Sequence, residues 1–199
     1  MRSVATIIRE SIAVKEALVQ NLQLVRTIEL VAQIFIDAFK ADKKVLLCGN
    51  GGSAADAQHI AAELSGRFYY DRPPLYAEAL HVNASHLTSI ANDYSYEEVF
   101  ARSVLAAGRK GDVLVGISTS GSSPNVVNAV AVAREIGMIT VGMTGETGGK
   151  LAASCDHLLN VPSRDAARIQ EAHIMIGHAV CELVEASMFQ KVTRLSGFK

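Results

Sequence analysis

"KVLLCGNGGSAADAQHIAAELSGRF", residues 44–68, changes character twice. Val45 to Cys48 form an unbroken apolar run, which suits a strand buried on both faces. The run ends at the glycine turn Gly49-Asn50-Gly51-Gly52, and "SAADAQHIAAELSGRF" then reads as a helix. Strand, glycine turn and helix in immediate succession are the opening of an α/β unit.

The same rhythm continues downstream. "LYAEALHV", "DVLVGISTSG", "MITVGMTG" and "HLLNVP" are expected strands. They alternate with helices in "SHLTSIANDYSYEEVFARSVLAAG" (broken near Asn92), "SPNVVNAVAVAREIG", the short "GGKLAASC" and the long "ARIQEAHIMIGHAVCELVEASMFQK". Apolar strands alternating with helices predict an α/β fold, a doubly wound, mainly parallel sheet covered on both faces. Upstream, Ile8, Ile12, Leu18, Leu22, Val25, Ile28, Val31, Phe35 and Phe39 recur at helical spacing without Gly or Pro. Residues 1–43 are therefore expected to form a helical arm of one or two helices, packed along the domain or against another subunit. The α/β domain is expected over 44–191 and a tail over 192–199.

Composition excludes several classes of function. Lys plus Arg number 19 against 20 Asp plus Glu, and no basic cluster tracks a phosphate backbone, so nucleic acid is not an expected partner. Cys48, Cys155 and Cys181 lack the spacing of a disulfide framework or thiolate zinc site and are expected to be reduced core thiols. The stretch "MRSVATIIRESIAVKEAL" carries Arg9, Glu10, Lys15 and Glu16 where a signal peptide needs an apolar run, which points to the cytoplasm. The longest uncharged run, Val113 to Ala133, has a polar centre that a bilayer would leave unsatisfied, so no membrane segment is expected.

In doubly wound sheets ligands bind beyond the carboxyl ends of the strands, which singles out the loops after Leu47, Ile117 and Met143. "GISTSGSSPNVV" offers Ser118, Thr119, Ser120, Ser122 and Ser123 as hydroxyl donors, Gly121 as a bend and Pro124 as the first residue of a helix. A phosphate fits at such a helix start without Lys or Arg. A serine-rich cap and turn is the plainer account. "GNGGSAAD", with Asn50, Gly51, Gly52 and Ser53, loosely satisfies a dinucleotide-binding pattern, but the acid expected at the end of the second strand is missing.

His59 and Glu63 lie four apart on one helical face, a spacing that fits two metal ligands or a base beside its partner. On the last helix Gln170 and His178 are separated by about 12 Å along the axis and about 80° around it. Their convergence on one ion requires Gln170 to lie in the first turn, with His178 leaning back toward it. His173 falls on another face and reads as structural or surface-exposed, as do His81, His86 and His157. Arg67 could pair with Glu63 or approach a phosphate, and Asn92-Asp93 is expected in a turn, with a substrate hydroxyl as its sharper role.

The ordered motifs "CGNGGSAADAQHIAAELSGRF", "SIANDYSYEEVF", "GDVLVGISTSGSSPNVV", "MTGETGG" and "ARIQEAHIMIGH" closely resemble the sedoheptulose-7-phosphate (phosphoheptose) isomerases of the sugar-isomerase (SIS) fold family. That resemblance implies conversion of sedoheptulose 7-phosphate, a phosphorylated seven-carbon sugar, into D-glycero-D-manno-heptose 7-phosphate at the entry to ADP-heptose and lipopolysaccharide synthesis. It also implies a cytoplasmic homotetramer with sites between subunits and one zinc ion held by His59, Glu63, Gln170 and His178. Substrate contacts would come from Asn50, Gly51, Gly52, Ser53, Glu63, Asn92, Asp93, Ser118, Thr119, Ser120, Ser123 and Gln170. Glu63 is the candidate base and His178 its partner acid, with the metal either in the chemistry or organising the site. The nearest rival is a non-catalytic SIS protein that binds the bacterial replication initiator. Such proteins tend to lose the Glu or second His that this chain keeps as Glu63 and His178.

Overall fold

The structure is a computed structural model and describes residues 2–189. The expected tail over 192–199 lies outside the described residues. The N-terminal segment is two helices, α1 (Val4–Gln20) and α2 (Leu22–Lys40). Asn21 separates them: its backbone leaves the helical region, and its side-chain oxygen accepts the Leu24 amide at 3.1 Å, capping α2. Then follow β1 (Val45–Gly49), α3 (Gly52–Ser65), β2 (Ala77–Ala79), α4 (Ala84–Asp93), α5 (Val99–Ala107), β3 (Val113–Ile117), α6 (Pro124–Glu135), β4 (Ile139–Thr144), β5 (His157–Asn160) and α7 (Ala166–Met188). Short 3₁₀ turns at Tyr96–Glu98 and Gly149–Ala153 complete the chain. All five expected strands form. The second is shorter than "LYAEALHV" suggested, because only Ala77–Ala79 pair with β1.

The sheet is parallel throughout, in the order β2-β1-β3-β4-β5. Alternate strand residues point to opposite faces, and both faces are buried. Val45, Leu47, Val113, Val115, Ile117, Val141 and Met143 share one core with α2, α3 and α7. Leu46, Cys48 and Leu114 share the other with α5 and α6. Each such buried aliphatic side chain contributes roughly 1.5–3 kcal/mol.

Within the N-terminal segment, α2 belongs to the core through Leu24, Ile28, Val31, Phe35 and Ile36. Helix α1 behaves differently, burying Leu18 and leaving Val4, Ile8, Ile12 and Val19 exposed. The three thiols are free, and Cys48 and Cys181 are buried, as expected of core cysteines. Burial pushes all three up to about 12. Among the described residues no helix is long and apolar enough to cross a membrane.

Candidate active site

Strand order reverses between β1 and β3, so the loops that follow them leave toward opposite faces and open a crevice. The Asn50 and Asn125 amides exchange two hydrogen bonds, each 2.9 Å, and tie one loop to the start of α6. Tyr96 donates its hydroxyl to Asn50 Oδ1 at 3.1 Å from the third side. Gly51 carries φ 54° and ψ −120° as it caps α3, a conformation that excludes side chains. Gly52 is required for another reason: a Cβ there would collide with the Gln170 amide.

Behind β3 the serine loop closes on itself. The Ser118 hydroxyl lies 2.9 Å from that of Ser123 and 3.3 Å from that of Ser120. Pro124 begins α6, and Ser123 is its N-cap residue without using its side chain as the cap. The Ser123 hydroxyl is therefore not committed to the helix, and the first-turn amides add partial positive charge. The segment after β4 supports this loop: Gly145 donates to the Thr119 carbonyl at 3.0 Å and Leu151 to that of Gly121 at 2.9 Å. Neutral hydroxyls around a helix start can hold a phosphate.

Two turns into α3, His59 Nε2 stands 3.3 Å from Glu63 Oε1 and 2.9 Å from His178 Nε2 of α7. One potential ligand atom from each of the three lies within 4.8 Å of the others, and they could hold a metal ion. Two imidazoles and a carboxylate are borderline-to-hard donors that suit Zn²⁺. Gln170 lies in the second turn of α7, not the first, with its amide against Gly52. Asp56 is buried, and burial pushes its carboxyl up to about 6, with Gln170 and His59 opposing the shift.

A family model for the SIS domain matches residues 8–145. The phosphoheptose isomerase of Clostridium acetobutylicum is 54% identical over 182 residues, 92% of this chain and 93% of that protein. That of Aneurinibacillus thermoaerophilus is 52% identical over 183 residues, 92% of each. The chain belongs to the phosphoheptose isomerase family of SIS domains. The structure of the phosphoheptose isomerase from Neisseria gonorrhoeae superposes with a TM-score of 0.86 at 47% identity, covering 92% of this chain and 97% of that one. The family is one of sugar-phosphate isomerases, so the chain is an enzyme and the initiator-binding alternative falls away.

Within this phosphoheptose isomerase family member, several residues take places the sequence did not announce. Asn92 and Asp93 are the exposed last residues of α4, hydrogen-bonded to each other at 2.9 Å; the chain turns only at Tyr94. Arg67 donates to the adjacent Phe68 carbonyl at 3.4 Å and not to Glu63. His173 is fully buried and contacts the Thr144 carbonyl at 3.1 Å, so it is structural. Burial pushes its imidazole down to about 4 despite that hydrogen bond. Arg72 and Glu185 form a buried ion pair at 2.9 Å beneath the His59, Glu63 and His178 group. A single Arg before Pro and a single Glu near a helix end carried no signal of this, since 113 positions separate them.

Proposed function

We propose that the chain converts sedoheptulose 7-phosphate into D-glycero-D-manno-heptose 7-phosphate through an enediol, at the entry to ADP-heptose and lipopolysaccharide core synthesis. The observation that carries this is the meeting of His59 and Glu63, on the helix that leaves the switch-point turn, with His178 of α7. The serine loop over Ser118, Thr119, Ser120 and Ser123 would bind the phosphate. Asn50, Gly51, Gly52, Ser53, Asn92, Asp93 and Gln170 would line the sugar.

Ketose-to-aldose conversion takes a proton from C1 and returns one to C2, while a hydroxyl proton moves from O1 to O2. Glu63 would remove the C1 proton as His178 protonates the C2 carbonyl oxygen, giving the enediol. Glu63 then returns its proton to C2, and His178 takes the O1 proton as the aldehyde forms. His59, Glu63, Gln170 and His178 would hold a zinc ion. When bound, zinc supplies Lewis-acid polarisation of the carbonyl and stabilisation of developing negative charge. A carboxylate has two oxygens, so Glu63 can serve a metal with one and move a proton with the other.

The enzyme is proposed to work as a cytoplasmic homotetramer with its sites between subunits; the exposed apolar stripe Val4, Ile8, Ile12 and Val19 supports α1 as a contact between copies. The metal assignment is tested by chelation of the purified chain. Loss of one zinc per chain together with isomerase activity, and recovery of both on adding Zn²⁺, is expected. Full activity in metal-free protein contradicts the assignment.

A further inference from the structure

Arg72 and Glu185 are almost completely buried, each side chain 2% exposed, and neither belongs to the proposed reacting group. Glu185 accepts the amides of Phe68 (3.0 Å), Tyr69 (2.6 Å) and Tyr70 (2.9 Å) as well as Arg72 Nε (2.9 Å). Burial would raise its carboxyl, but these four donors hold it below the ordinary value. The rest of the Arg72 guanidinium reaches the carbonyls of Glu63 at 2.9 Å and Leu64 at 2.8 Å, the last-turn acceptors of α3 that have no helical donor.

The pair therefore touches the site from two sides. Through the Glu63 carbonyl it holds the backbone that carries the candidate base. Through the Phe68 amide it holds a turn whose ring packs on the His178 imidazole, with centroids 5.7 Å apart. Glu185 and His178 are themselves two turns apart on one face of α7. A buried ion pair is a poor source of stability compared with apolar packing, so its retention calls for a positional reason. Groups that orient metal ligands from behind tune affinity and activity without touching the ion.

We propose that Arg72 and Glu185 are positioning residues that fix the separation of Glu63 and His178, and with it metal affinity and the proton-transfer step. This rests on the assignment of that group as the metal and catalytic centre.

The test uses the full chain in four forms: wild type, Glu185→Gln, Arg72→Lys, and Val184→Ala, whose buried side chain neighbours Glu185 in sequence but lies outside the network. Thermal unfolding, Zn²⁺ affinity by competition with a chromogenic chelator, and kcat and KM for sedoheptulose 7-phosphate are measured on each. The two network variants are expected to lose about 10- to 100-fold in Zn²⁺ affinity and in kcat. Their KM should stay within about twofold, because the serine loop is untouched. Val184→Ala should lower the melting temperature and leave affinity and kcat in place. Arg72→Lys keeps the buried charge and carries the comparison if Glu185→Gln does not fold. Wild-type affinity and kcat in the network variants overturn the proposal, as does a Val184→Ala enzyme that loses both in step with its stability. An inactive wild type that binds no Zn²⁺ overturns the functional assignment itself, and the positioning role with it.

Discussion

The Nε2 atoms of His59 and His178 lie 2.9 Å apart although 119 positions separate the two residues in the chain. They meet because α3 and α7 run side by side in the same direction. Gly52 faces Gln170, Ile60 faces Gly177, and the end of α3 reaches Glu185 through Arg72. Gly177 is what permits the middle contact, since a Cβ there would strike Ile60. Close helix approach thus puts two imidazoles and a carboxylate at one point, next to the crevice between β1 and β3.

Glu63→Gln keeps the size of the side chain and removes its basicity. Isomerase turnover should fall by about 10²–10⁴-fold with folding intact. Circular dichroism with a turnover assay checks this, and wild-type-like turnover would remove Glu63 from the role of base.

Ser120 is exposed and its hydroxyl is directed into the serine loop. Ser120→Ala should raise KM for the sugar phosphate about 10-fold or more, the value of a hydrogen bond to a charged group, with little change in melting temperature. An unchanged KM would move the phosphate elsewhere.

Gly52→Ala places a methyl group where the Gln170 amide sits. Overpacking of this kind costs about 1–3 kcal/mol. Denaturant titration should show that loss, and combining the change with Gln170→Ala should recover most of it. A double variant no more stable than Gly52→Ala alone would show that Gln170 is not what forbids a side chain there.

His173 gives a pH signature. Its imidazole is neutral when folded, with a value near 4 in place of 6.5. Between these values the unfolded chain binds the extra proton, so stability rises with pH. The contribution is complete above about pH 6.5 and is lost as pH falls toward 4, on the order of 3 kcal/mol in all. Asp56 acts in the opposite sense, because its raised carboxyl favours the folded state at low pH and loses that advantage as pH rises through about 6. The difference between wild type and His173→Leu isolates the histidine. The Thr144 carbonyl keeps the Val161 amide in that variant, so no acceptor is orphaned. Urea midpoints from pH 7.5 to 4.5 should fall less steeply for His173→Leu, and parallel curves would contradict the assignment.

The fold was legible because strands buried on both faces are continuous apolar runs, as in Val45–Cys48 and Val113–Ile117, and because glycines mark their ends. The His59 and Glu63 pair was legible from helical spacing alone. The place of Gln170 was not. It depends on how α3 and α7 are offset, and Gly52 leaves its amide room beside Asp56 instead of in the first turn of α7. The Asn50 and Asn125 amide pair was hidden because an Asn after Pro124 looks like any first-turn residue. Asn92-Asp93 resembled a turn by composition, yet α4 continues through them and the break is set by Tyr94, with φ −123° and ψ −91°.

The central claim is that this chain interconverts a seven-carbon ketose phosphate and its aldose at the His59, Glu63 and His178 site. Incubation of the zinc-loaded protein with sedoheptulose 7-phosphate, followed by NMR analysis of the products, tests it most directly. Appearance of D-glycero-D-manno-heptose 7-phosphate, absent with Glu63→Gln, is the expected result; no aldose from folded, metal-loaded wild type would contradict it.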